Sequence, residues 1–212
     1  MQTHWLSLVT FFPLLGALLL MLVPGTARES LRRVAFVVSL AELALTVPLL
    51  LGFDSAQRGM QFMERHVWIS APPILYQLGM DGLSLVLVLL TAFLTPFAVL
   101  ASWTIEKRVK EFFIMLLVLQ TGMLGVFVAL DLFLFYVFWE VMLIPMYFLI
   151  GIWGHERRLY AAIKFILYTM AGSLLMLIAI IWLYLRTGSF DLFYIQQVLQ
   201  SGQVMLDRKS VV

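Results

Sequence analysis

The 212-residue chain contains no cysteine. That absence excludes a thiolate-held iron–sulfur cluster, a covalently attached c-type haem and a disulfide framework within this sequence. Charge is also scarce: Asp, Glu, Lys and Arg make up 12% of the residues, against about 25% in ordinary soluble domains. Only His4, His66 and His155 are present, too scattered in sequence to suggest a metal site. The net charge of +2 offers no patch for nucleic acid, because Lys and Arg sit in small clusters beside apolar runs.

Apolar residues fill the space instead, at 63% of the chain. A soluble protein of this size has no means of covering so much apolar surface, so lipid is the expected solvent. Six runs reach spanning length, at 5–23, 34–53, 80–103, 112–130, 131–153 and 160–185. Sustained two-residue alternation is missing, which argues for helices rather than a barrel. The fold class expected is an all-α membrane protein, one transmembrane domain over 1–212 built as a bundle of about six helices. The first run lacks a positive region before Trp5 and is longer than a signal-peptide core, so it reads as a retained helix.

The basic residues set the orientation. Arg28, Arg32, Arg33, Lys107, Arg108, Lys110, Arg157 and Arg158 fall on one side, and Arg58, Arg65, Arg186, Arg208 and Lys209 on the other. The positive-inside rule then predicts both termini outside the cytoplasm, N-out and C-out. In the long connection 54–79, the stretch RHVWIS predicts a short strand ended by Pro72–Pro73. Only Asp131 separates the fourth and fifth runs, so that turn must be very tight. The tail 186–212 reads as the start of a connection, ending at DRKSVV without a cap.

Glu140 stands out within 131–153. It lies nine residues beyond Asp131, which at ~1.5 Å per residue is about 14 Å, close to the midplane of the hydrocarbon layer. An acid at that depth is costly, and such residues serve ion paths, proton relays or helix–helix pairs. Burial favours its protonated form and a nearby cation its ionised form, so a group balanced between them can load and release a proton. The alternative is a carboxyl pinned to a neighbouring helix for packing specificity. Tyr136 and Tyr147 share its face, four residues back and seven ahead, and a hydroxyl there can donate to it. Pro145 removes the amide that would pair with the Val141 carbonyl, one residue past Glu140.

Lys164 is the candidate cation, flanked by Tyr160 and Tyr168 at one turn either way. Its axial offset from Glu140 is roughly 12 Å, so water or a third group would have to bridge them. Snorkelling to the headgroups is its simpler role. Glu42 is the third intramembrane charge, near mid-depth and without an obvious partner, and reads equally as a relay member or an interhelical hydrogen bond. Asp131 and Asp81 read as helix caps. Ala171, Gly172 and Ser173 allow close helix approach.

The stretch QTGMLGVFVALDLFLFYVFWEVMLIPMYFLIGIWG at 120–154 resembles the antiporter-like proton-pumping subunits of respiratory complex I, the NADH–quinone oxidoreductase, and is most like subunit M, counterpart of mitochondrial chain 4. YQLGMDGLSL at 76–85 and YAAIKFILYT at 160–169 add to the resemblance, which covers most of 76–186. It implies a multi-pass subunit of the bacterial inner membrane, partnered by other membrane-arm subunits and especially by neighbouring antiporter-like ones. It implies proton translocation coupled to electron transport, with the glutamate of the FWE motif, Glu140, as the essential channel carboxylate and Lys164 in the family pattern. The implied cofactors, NADH, FMN and iron–sulfur clusters, together with quinone, belong to other subunits. The family fold has roughly fourteen helices, all-α as a spanning fold of this kind must be. This sequence holds only the first six, so the expectation is an N-terminal part lacking the later broken helix and its lysine. A multisubunit sodium/proton antiporter subunit, a purely structural membrane-arm subunit and a quinone-binding role are the alternatives, the last without a dedicated pocket legible in the sequence.

Overall fold

The computed structural model describes residues 4–57 and 59–201. In chain order the elements are α1 (Trp5–Leu22), α2 (Arg28–Gly52), β1 (Gln61–Ile69), β2 (Ile74–Met80), α3 (Gly82–Ala101), α4 (Val109–Val128), α5 (Leu132–Trp153), α6 (Arg158–Thr187) and α7 (Leu192–Gln200). The helices α1 to α6 are each long and apolar enough to cross a membrane. The six apolar runs thus become six helices. α2 starts earlier than its run because Glu29 pairs with Arg32 and Arg33 one turn on, giving its charged first turn helical support.

Two elements differ from expectation. The strand predicted at RHVWIS exists, but it is longer and pairs antiparallel with a second strand, β2, whose apolar face is buried against the helices. The tail reading is corrected: residues 192–200 form α7, because Asp191 accepts hydrogen bonds from the Phe193 and Tyr194 amides and starts a new helix. The stretch DRKSVV lies outside the described residues.

Helix α4 is the hub of the bundle, packing on α1, α2, α3 and α5, whereas α6 packs mainly on α5. The core of α1 to α4 forms two apolar clusters. One includes Val9, Leu49, Val88 and Leu124 near the hairpin, and the other Ala17, Val38, Val99 and Leu117 near the arginine-rich end. The tight α4–α5 turn is an extended segment, held on one side by Leu130 N–H to the Gln77 carbonyl (2.9 Å) and on the other by Leu132 N–H to the Phe190 carbonyl (2.9 Å). Its Asp131 caps α5 through the Phe133 and Leu134 amides and also accepts from the Leu75 amide of β2 (3.1 Å). Asp81 likewise caps α3 by accepting from Ser84 N–H at 2.7 Å, and that bond holds its carboxyl below the usual carboxylate range.

The hairpin docks on α1 through Glu64. His4 at the N-cap makes no side-chain cap bond. The buried Glu64 carboxylate accepts instead from the Ser7 amide (3.1 Å) and the Ser7 hydroxyl, with His4 Nδ1 at 3.8 Å. The Tyr76 hydroxyl meets Ser7 Oγ at 2.6 Å; burial pushes its proton affinity above the ordinary tyrosine value, and the Glu64 charge adds to that. Replacing Glu64 with Leu strips the amide and hydroxyl of Ser7 of their buried acceptor. The expected outcome is a loss of about 1–3 kcal/mol in unfolding free energy in detergent, with faster amide exchange across residues 61–69. An unchanged unfolding midpoint and exchange pattern would show that the hairpin docks by other means.

Candidate functional site

Glu140 sits in the ninth position of the 22-residue α5, and the helix continues unbroken through Pro145. The face that α5 turns toward α4 is set by two glycines. A side chain at Gly125 would collide with the Phe138 ring, and one at Gly122 with Met142. Phe138 and Met142, four residues apart, therefore lie against α4, and Glu140 between them points away from it. It is half-buried, and its Oε1 is fully covered without a hydrogen-bond partner. An unsatisfied buried carboxyl oxygen is costly and uncommon.

The Tyr136 side chain faces Glu140 on its own helix and Ser173 of α6. Ser173 is buried and donates to the Met170 carbonyl at 3.1 Å, which leaves its oxygen able to accept. Sequence reading gave Ser173 a packing role only; its hydroxyl within a small-residue stretch was the available signal. Tyr147 shares the face of Glu140 but packs edge-on against Phe148 and makes no hydrogen bond to the carboxylate.

Lys164 does not reach Glu140. Its Nζ lies 5.9 Å from the Tyr160 ring centre and 5.8 Å from that of Tyr168, and all three side chains are exposed on the outer face of α6. No ion pair joins it to an acid among the described residues. Glu42 is fully buried within α1 to α4, on the far side of α4 from α5, and neither of its oxygens has a partner. The three intramembrane charges therefore occupy three separate environments rather than one cluster. Gln120 of α4, which opens the stretch 120–154 but is given no role of its own by the sequence, is also fully buried with its amide oxygen and nitrogen unpartnered.

An apolar groove of about 540 Å³ lies between α1, α4, α5 and the hairpin, lined by Phe11, Thr121, Val137, Val141, His66 and Tyr76. Its walls carry almost no polar groups to orient a headgroup. Among the described residues, no group of three or more His, Asp or Glu is placed to hold a metal ion.

Known proteins match this arrangement along nearly the whole chain. Residues 14–127 match the family described as NADH-ubiquinone oxidoreductase chain 4, amino terminus, and residues 129–210 the family described as NADH:quinone oxidoreductase/Mrp antiporter, TM. The chain is similar to NADH-quinone oxidoreductase subunit M of Rhodobacter capsulatus, at 46% identity over 192 residues, covering 88% of this chain and 37% of that protein. It is similar to subunit M of Rickettsia felis, at 36% identity, covering 98% and 43%. Its backbone superposes on a chain of respiratory complex I from Thermus thermophilus with a TM-score of 0.77 at 27% identity, covering 90% of this chain and 38% of that one. A chain of the Mrp complex from Dietzia sp. shares the fold, with a TM-score of 0.73 at 21% identity, covering 92% and 20%. The chain thus spans about two fifths of the length of the curated relatives it matches. Six apolar helices and bacterial relatives make it a multi-pass protein of a bacterial inner membrane.

The glycine contact is directly testable. Gly125→Val should force α5 away from α4 and cost about 1–3 kcal/mol, as overpacking of a filled interface does. Thermal unfolding in detergent checks this, and a midpoint equal to the parent's would show that the two helices are not in close contact at that level.

Proposed function

This chain belongs to the NADH–ubiquinone oxidoreductase chain 4 family, and from that premise we propose that it is a membrane subunit of NADH–quinone oxidoreductase that takes part in proton translocation through Glu140. The observation that carries the reading is the covered, unpartnered carboxyl oxygen of Glu140 midway along an apolar helix. In its neutral form the carboxyl supplies an O–H donor, and the Ser173 hydroxyl near Tyr136 supplies an acceptor. In its charged form the Tyr136 hydroxyl, one turn back on the same face, supplies a donor, so neighbouring side chains serve both protonation states. That symmetry is what a site that loads and releases a proton requires.

Lys164 has a subsidiary part in this reading. It stands on the next helix, nearer the arginine-rich end, where the two flanking tyrosine rings hold its ammonium group. Its charge biases the protonation of Glu140 through intervening water rather than by contact. Electron transfer, with NADH, FMN, iron–sulfur clusters and quinone, belongs to partner subunits in this scheme. Other membrane-arm subunits are the expected neighbours.

A sodium/proton antiporter subunit is the second reading, favoured by the shared family description of residues 129–210. The match of residues 14–127 to a chain 4 amino terminus favours the first.

Glu140→Gln in the intact respiratory enzyme should abolish or sharply reduce proton export while quinone reduction continues. Measuring protons moved per NADH oxidised checks this. A ratio equal to the parent enzyme's would remove Glu140 from the translocation path.

A further inference from the structure

The α1–α4 core is interrupted at mid-depth by a polar layer to which every helix contributes. Between the two apolar clusters lie Thr10 of α1, Glu42 of α2, Thr91 and Thr95 of α3, and Gln120 and Thr121 of α4, all buried. On the same helix as Glu42, Ser39 and Thr46 extend the layer by one turn each way. Five of the hydroxyl protons in the layer are already committed. Ser39, Thr46, Thr91, Thr95 and Thr121 each donate to a carbonyl of their own helix, at 2.7 to 3.2 Å. What these side chains still offer is acceptor lone pairs.

Within this layer the fully covered polar atoms of Glu42 and Gln120 have no partners. They lie at one level. Val38 and Leu117 both meet the same point on α1, at Gly16. α2 and α4 both run toward the hairpin, Glu42 is four residues past Val38, and Gln120 is three residues past Leu117. Each is therefore one turn further along the same face of its helix.

Among the described residues of α1 to α4, no cation lies near enough to hold Glu42 ionised. α1 and α3 carry no charged residue. On α4 the charged residues are Lys110 and Glu111, and on α2 Arg28, Glu29, Arg32 and Arg33, all in the turns at the arginine-rich end. A bare carboxylate without a counter-charge or a donor is the most expensive state such a site can adopt, whereas a neutral acid and a primary amide match donor to acceptor twice over.

We propose that Glu42 and Gln120, which make no hydrogen bond to one another in this structure, form a second proton-binding site at mid-membrane, in which Glu42, loaded with an exchangeable proton as a neutral acid, takes the Gln120 amide as its partner. The hydroxyl oxygens of the layer supply the acceptors through which that proton exchanges. The site lies across α4 from Glu140 and stands independently of the role proposed for that residue.

Infrared spectroscopy of the full chain in phosphatidylcholine vesicles at neutral pH tests this. The expected result is a carbonyl stretch of a protonated carboxyl group that moves down in D2O, vanishes in Glu42→Gln and survives in Glu140→Gln. In Gln120→Leu the band should move up, as the carbonyl loses its donor; this arm decides the matter should Glu42→Gln fail to fold. A band that persists in Glu42→Gln, ignores D2O, or is missing from the parent chain would overturn the proposal. So would its loss on adding sodium at fixed pH, which would make the site an alkali-cation site instead.

Discussion

Helix N-termini that meet at one end of a membrane bundle need acceptors for amide groups that neither lipid nor the helix itself can satisfy. Here α1, α3, α5 and α7 all begin at the hairpin end, and a carboxylate meets each of them: Glu64, Asp81, Asp131 and Asp191. Negative charge at those positions also suits the positive ends of the helix dipoles. Three of the four acids engage the hairpin as well. Glu64 belongs to β1, Asp131 accepts from the Leu75 amide of β2, and Asp191 pairs with Arg65 of β1 at 3.2 Å. The hairpin thus fixes where the helices start, and with them the depth of every residue further along.

Lateral position is set by a different device. Gly122 and Gly125 let α5 approach α4 closely enough for Phe138 and Met142 to fill the contact. With that face committed, helical geometry directs Glu140 toward α6. α6 itself is the peripheral member, and much of its surface is apolar and exposed. The acid therefore lies at the boundary between the α1–α4 core and α6, which packs mainly on α5.

The two mid-depth acids are held differently. Glu140 has Tyr136 at hand, which in turn faces Ser173, and retains partial exposure. Glu42 is completely enclosed by helices that carry no charge near it. That difference follows from packing and has nothing to do with residue type, since both are glutamates.

The sequence by itself determined the six apolar helices, because their length and composition answer to the thickness and chemistry of lipid alone. It determined the caps at Asp81 and Asp131, since a cap acts on amides two or three residues away. It also determined the shared face of Tyr136 and Glu140, since residues four apart on a helix must be neighbours. The tertiary structure alone decided that Glu64 caps a helix 57 residues earlier in the chain. It alone decided that β2 takes up one side of the α4–α5 turn, that Ser173 faces Tyr136, and that Gln120 shares a level with Glu42. Each of these depends on which distant segments the chain brings together, and local pattern carries no record of a partner so far along it.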